Sequence, residues 1–489
     1  MKKLSIYTTI FTVALFFASC KKVTEGLDQD PNSPIDAPAD LILNGAQVSS
    51  IMVYEGSAAR TAGIFSGSFT GVDRQYVSLN DYITTSGDYD GVWDDLYSRV
   101  IAPSKIVEAK ALAVNNKTMA GIAQVMQAQA FGLAADLWGD VPFTEACNPT
   151  KPTPAFDTQA TVYAGVQTLL DKAIVNLNAN AGTVSGKDIF YGGSRTKWIA
   201  AAYTLKARYF LHVKNYASAI TSATSGIAAA SGNMNAPHGE TWQSDFNVYY
   251  SFLVRDRGGY MDASAATLPK LLDATNVKYR GDTQTDETAR YEYLYQSNLM
   301  SYPANELEPN VLCFDDWGVP ATIYDGFFGA TTSFPLVTFE ENQLILAEAH
   351  LKKASPSATS ALAALNAHRA YMNTGGSIST GYVASGLSYL PYALTDFNAA
   401  GIQNPGSLTQ AEALLKEIIE EKYVTLVGQI EQFNDVRRTK NLLGIVPNTG
   451  SSLPQRFFYP QSEINSNPNT PVQAATALFT ATTVNATAY

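Results

Sequence analysis

Histidine and cysteine are scarce, four and three among 489 residues, which leaves little material for a His/Cys metal site or a Cys–His nucleophile. No C-x-x-C, H-E-x-x-H or G-x-S-x-G occurs, so the zinc, metalloprotease and nucleophile-elbow arrangements are excluded. Gly182 to Lys187 (GTVSGK) has the outline of a phosphate loop, but its spacing is one residue short and Asp188 stands where the hydroxyl residue belongs. Basic charge is short as well: 33 Lys+Arg against 44 Asp+Glu give a net charge of −11. Such a surface repels phosphate backbones, so no nucleic acid partner is expected. Charged residues of either sign make up only 16%, so hydroxyls, amides, glycine and tyrosine must cover the outside. Neutral ligands suit that surface better than ionic ones. Beyond the first twenty residues no run of 18 uninterrupted apolar residues appears, which excludes a later membrane span.

The first twenty residues are apolar in a different way. Lys2 and Lys3 precede an uncharged stretch, Leu4 to Ala18, that ends in Phe17-Ala18-Ser19-Cys20. This pattern is that of a bacterial lipoprotein signal, with Cys20 lipidated as the mature N-terminus. Residues 1–19 are therefore expected to be a signal peptide and 20–38, with its prolines, a tether. The lipid would be the anchor to the membrane. Cys147 and Cys313 remain as buried thiols or one isolated bridge.

From residue 39 onward a single domain is expected. Helical periodicity with a heavy load of alanine marks 121–137, 161–177, 196–213, 215–230, 337–353, 357–372 and one long helix over 408–438. Small residues at packing positions let helix axes approach closely. The starts at 121, 161, 196 and 215 suggest tetratricopeptide-like pairs of irregular period. The fold class is accordingly mainly α: a helical scaffold over about 100–230 and 336–440 supporting a loop-rich layer over about 233–335 and 373–407. No alternating strand–helix pattern argues for a doubly wound sheet.

Twenty-seven tyrosines make aromatic contact the main binding chemistry on offer, because ring faces stack on sugar C–H groups without charge. Two stretches concentrate them outside the helical periodicity. The first, 73–97, supplies Tyr76, Tyr82 and Tyr89, while Trp93 and Tyr97, spaced i, i+4, read as core. The second, 302–328, supplies Trp317, Tyr324 and Phe327 beside Asn310 and Asp315. These eight residues are the candidate ligand contacts. Asp315-Asp316 is the best pair for a glycosidase alternative, which needs two opposed carboxylates. Glu340-Glu341 and Glu420-Glu421 read as solvated helix faces, and Asp282 to Glu287 as surface acid, so no metal or cofactor is expected.

Four blocks in order give these features a family. Leu27 to Pro34 (LDQDPNSP) is similar to a motif that follows the tether. Ala135 to Phe143 (ADLWGDVPF) carries W-G-D-V-P, the family's most recognisable block. Glu421-Lys422-Tyr423 with Phe433 to Arg438, and Pro454 to Pro460 with Glu463 and Asn467, resemble the C-terminal signatures. Together they resemble the SusD/RagB family of outer-membrane nutrient-binding lipoproteins, in its SusD-like branch from Bacteroidetes. The resemblance implies a surface lid for a SusC-like TonB-dependent transporter, which captures oligosaccharides, or in some members peptides, without bond chemistry. It implies no particular ligand residue, and the blocks themselves read as structural: Trp138 plugging a helix end, Gly139 and Pro142 ending it, Arg437 and Arg438 pairing acids or capping carbonyls.

Overall fold

A computed structural model describes residues 37–184, 186, 188–241, 244–297, 306–312 and 325–489. The principal helices are α1 (Ala39–Glu55), α2 (Ala102–Ala113), α3 (Lys117–Trp138), α4 (Gln159–Asn178), α5 (Arg195–His212), α6 (Tyr216–Thr224), α7 (Phe339–Lys352), α8 (Ala358–Met372), α9 (Gln410–Thr425), α10 (Ile430–Arg438) and the short α11 (Gln461–Ser466). Their starts are written in the sequence. Asn116, Thr158, Asn215, Thr338 and Ser357 each accept a backbone N–H of the first turn, and Thr409 with Glu412 forms a capping box.

Successive helices pack on one another from α2 through α6, then α6 packs on α7 and α7 on both α8 and α9. The helical hairpins thus form one continuous stack, as the mainly α reading expected. Alanine makes the close approaches: Ala207, Ala219, Ala223 and Ala349 are buried between α5, α6 and α7 around Leu211 and Ile345. Another close approach is at Gly132 of α3, where a Cβ would lie 2.1 Å from the ring of Tyr209 on α5. Gly132→Ala is therefore expected to destabilise the fold by about 1–3 kcal/mol through overpacking. Gly45→Ala, in α1 with nothing within 4 Å, should instead hold or raise the melting temperature. Thermal unfolding of the two variants checks both.

The chain leaves the stack after α6 and rejoins it at α7. The excursion is pinned by two-stranded antiparallel pairs: β1 (Thr70–Gly71) with β3 (Met261–Asp262), β2 (Met234–Ala236) with β7 (Phe334–Val337), β4 (Thr285–Asp286) with β8 (Ser388–Tyr389), and β5 (Tyr295–Ser297) with β6 (Leu307–Pro309). Strand is confined to these short ladders among the described residues. No helix among them is long and apolar enough to cross a membrane.

Three expectations are corrected. The long helix over 408–438 is two, α9 and α10, parted at Gly428 with φ 73°. The helix over 215–230 stops at Thr224. Glu340, Glu341, Glu421 and Glu287 are buried rather than solvated, because basic or amide side chains distant in sequence meet them. Glu341 takes a bidentate pair from Arg208 at 2.6 Å, and Asn233 donates to Glu340. Glu421 receives Arg280 at 2.7 Å, Arg290 at 2.6 Å and His368 at 2.8 Å, while Glu287 pairs with Arg280. This last cluster fastens the 280–290 segment of the loop layer to α9.

Candidate ligand-binding face

The sequence candidates fall into two groups. Tyr76, Tyr82, Tyr89 and Phe327 are buried, with 7%, 6%, 2% and 7% of their surface exposed, and Asn310 retains 1%. Their rings are covered by protein, which corrects the expectation that they face a ligand. Tyr89 stacks on Phe457 with centroids 4.6 Å apart, and its hydroxyl donates to Thr84. Tyr82 meets Phe65 edge-on while its hydroxyl accepts the Asn448 N–H. Tyr76 packs on Phe252 at 5.0 Å, and Phe327 on Phe328 at 4.8 Å. The Asn310 amide donates to the Glu292 carbonyl and the Tyr382 hydroxyl, bracing a loop. An amphiphilic ring beside a polar backbone is as useful for anchoring a long loop as for binding, and here anchoring wins. The second group, Trp317, Tyr324 and Asp315 with Asp316, and likewise Cys20 and Cys313, lies outside the described residues. Cys147 is a free thiol at the surface rather than a buried one.

The structural readings of the shared blocks hold. Trp93 and Tyr97 are buried together with centroids 4.5 Å apart. Trp138, fully buried, closes the end of α3 and donates from Nε1 to the Phe458 carbonyl at 2.8 Å. Gly139 turns the chain with φ 86°. Arg437 donates to the carbonyls of Asp136 and Gln455, both at 2.8 Å, and Arg438 pairs with Glu348 and Asp435.

What the 73–97 segment offers outward is its polar edge. Thr84, Thr85 and Ser86 form one wall of a cleft of about 640 Å³ whose other walls are Phe458, Ile464, Asn467, Thr470, Val472 and Gln473 with prolines 468 and 471. No charged side chain lines it. Its size is that of a small-ligand site, and hydroxyls, an amide and apolar side chains are what a neutral polyhydroxy ligand needs. The short helix α11 parts it from a second cleft of about 480 Å³, lined by Asp90, Asp94, Glu463 and Cys147 around Trp93. Those acids are engaged within the protein: Asp90 accepts the Ser462 N–H and hydroxyl, Asp94 accepts Ser98, and Glu463 accepts Asn467.

The other polar cluster that invites a chemical reading lies deep inside. Asp136, His212 and Glu431 bring ligand atoms within 4.8 Å of one another. His212 Nδ1 meets Asp136 at 2.8 Å, and its Nε2 meets Glu431. Both ring nitrogens thus donate to carboxylates, which leaves no lone pair for a cation; the arrangement is that of a buried imidazolium. Burial alone would lower its pKa, but Asp136 and Glu431 together lift it from 6.5 to about 9. A raised pKa favours the folded state below 6.5 and loses that contribution as pH rises through 9. The shift corresponds to on the order of 3 kcal/mol, so the melting temperature should fall between about pH 6.5 and about pH 9.5. Calorimetric scans at the two values test this, and an unchanged or rising midpoint would contradict the buried imidazolium.

Comparison with known proteins adds the following. A family model described as starch-binding, associating with the outer membrane, matches residues 31–460. No curated protein matches. Among solved structures, a SusD/RagB family protein from Bacteroides thetaiotaomicron is similar at TM-score 0.63 and 21% identity, over 89% of this chain and 95% of its own. A SusD homolog from Parabacteroides distasonis gives TM-score 0.64 at 18% identity over 88% and 93%. A chitin-binding SusD homolog from Flavobacterium johnsoniae gives 0.60 at 15% over 87% and 92%. At these identities the likeness is one of fold.

Proposed function

The chain belongs to the SusD-like family, starch-binding and associated with the outer membrane, and from that premise we propose that it captures neutral oligosaccharides at the cell surface and passes them to a SusC-like TonB-dependent transporter. The observation that carries this reading is the uncharged cleft of about 640 Å³ between the 84–86 wall and the 458–475 segment. Aliphatic and aromatic walls cover sugar C–H faces, while the hydroxyls of the 84–86 wall exchange hydrogen bonds with sugar hydroxyls. Trp317 and Tyr324 are proposed as additional stacking contacts. The function is binding and release, not bond cleavage. Lipidation at Cys20 tethers the protein to the outer membrane with its ligand face outward.

The same hydroxyls suit peptide backbones, so a peptide cargo is the second reading. Affinity electrophoresis of the protein through gels carrying a neutral polysaccharide, with a casein-derived peptide mixture as competitor, separates the two. Retardation by the polysaccharide that peptides do not relieve supports glycan capture; peptide binding without retardation replaces it. For the anchor, Cys20→Ala is expected to move the protein from the outer-membrane fraction to the soluble fraction. An unchanged membrane association would refute lipidation as the tether.

A further inference from the structure

In the acidic chain, net −11, Arg208, Arg290, Arg369, Arg437 and Arg438 are buried in ion pairs or on carbonyls. Arg60 is half-buried, and Arg74 and Arg257 are exposed. They gather on one patch, away from the uncharged cleft's lining, and each lies over an aromatic ring. The Arg60 guanidinium sits 4.0 Å above the Phe252 ring, and its Nε donates to the Tyr76 hydroxyl at 2.9 Å. Arg74 and Arg257 lie 5.7 and 5.9 Å from the centre of the half-buried Tyr260 ring, which itself meets Tyr76 at 6.2 Å.

The backbone presents these groups deliberately. Residues Ser251–Asp256 wind as a π-helix, and the Arg257 N–H reaches the Phe252 carbonyl at 2.8 Å. Wide turns of this kind recur at binding sites because they re-aim side chains at a cost in helix stability. Stacking fixes the guanidinium planes in advance, which lowers the entropy lost when an anion is gripped. Among the described residues, no carboxylate pairs with Arg60 or Arg257; Arg257 Nη1 donates to the neighbouring Asp256 carbonyl at 2.8 Å, which leaves its other guanidinium donors. Arg74 has only Asp73, at 3.5 Å, and both side chains are more than half exposed, so that pair is weak. Asp256 is exposed beside the patch, and Asp262 lies two residues from Tyr260. Asp262 is itself buried, and burial, with Glu306 and Glu308 nearby, pushes its carboxyl up to about 6, which blunts its competition for the arginines.

We infer that this arginine–aromatic patch is a second binding site, which recognises the carboxylate of an acidic sugar, a uronate unit, in the captured glycan. Two stacked guanidinium forks match a carboxylate bidentately, while the acidic remainder of the surface turns such a ligand away. The half-buried Tyr260 ring beside Arg74 and Arg257 favours a ring-bearing acid over an extended acidic peptide. The inference rests on the capture reading for the word sugar.

Its test is titration of the full-length protein in detergent with trigalacturonate, maltotriose and tetraglutamate, at about 50 and about 300 mM NaCl, repeated on the variant R60Q/R257Q. Trigalacturonate is expected to bind at least about tenfold more tightly than maltotriose at low salt, and to weaken severalfold at high salt. R60Q/R257Q should lose that preference while keeping the affinity for maltotriose and the far-UV circular dichroism. A preference that survives in R60Q/R257Q, or equal affinity for the two sugars, would overturn the uronate site and leave glycan capture standing. Tetraglutamate binding as tightly as trigalacturonate would overturn the choice of a sugar. Failure of every sugar to bind would remove both the site and the capture reading.

Discussion

Ala474→Trp is expected to abolish glycan binding while leaving the fold intact. Ala474 is exposed and lines the uncharged cleft, so an indole there occupies ligand volume without disturbing the core. Losing most of the contact of even a weak ligand removes several kcal/mol, so the affinity should drop by at least about 100-fold, on the scale of about 1.4 kcal/mol per tenfold. Titration alongside a melting curve reads both quantities. Undiminished affinity with an unchanged melting temperature would place the sugar somewhere other than this cleft.

The second large effect concerns how the loop layer is held. Arg280 is the cation shared by Glu287, Glu417 and Glu421. Glu421 also receives Arg290 and His368. Burial opposes ionisation at Glu421, but these cations hold its carboxyl well below the usual range. Burial instead dominates at Glu417: Arg280 opposes it, but Glu420 and Glu421 add repulsion, and its pKa rises to about 8. Near neutral pH Glu417 therefore already carries its proton. Glu417→Gln should change stability by less than about 1 kcal/mol, since a neutral group replaces a neutral group. Glu421→Gln removes the carboxylate that Arg280, Arg290 and His368 share, leaving Glu287 to balance both buried guanidiniums, and should cost about 3–5 kcal/mol. Denaturant titration of the two variants decides the matter; equal losses would contradict the assignment of charge within the cluster. The same cluster fastens segment 280–290 to α9, so Glu421→Gln should also increase amide exchange in that segment.

How much was legible in the sequence depended on whether a signal was local. Alanine-rich periodicity located α3, α4, α5, α7 and α8 because packing and capping are both set within a few residues. The i, i+4 spacing of Trp93 and Tyr97 identified a core pair, since neighbours on a helix must meet. The role of Trp138 followed from its place at a helix end. Glu421 was illegible because its partners Arg280, Arg290 and His368 stand 141, 131 and 53 residues away. Only the fold makes that carboxylate interior.

The cleft was missed for a related reason. Its walls come from residues 84–86 and 458–475, and threonine, serine and glutamine carry no periodicity that marks them. Tyrosine drew the reading toward 73–97, a segment that does line the cleft, but it selected Tyr76, Tyr82 and Tyr89, whose rings turn inward. The neighbouring hydroxyl residues Thr84, Thr85 and Ser86 are what that segment presents. A cluster of prolines at 454, 460, 468 and 471 among Asn, Thr and Gln was the available hint that the C-terminal segment stays open and polar. The arginine patch was hidden by the composition itself, because a net charge of −11 says nothing about where the few exposed cations gather.

The most direct test of capture without chemistry is calorimetric titration of the full-length protein in detergent with neutral oligosaccharides, followed by analysis of the recovered sugar. Saturable heat, lost in Ala474→Trp, with the oligosaccharide returned at its original length, is the result expected of a surface-binding protein. Shortened sugar with new reducing ends would contradict it and turn attention to Asp315 and Asp316.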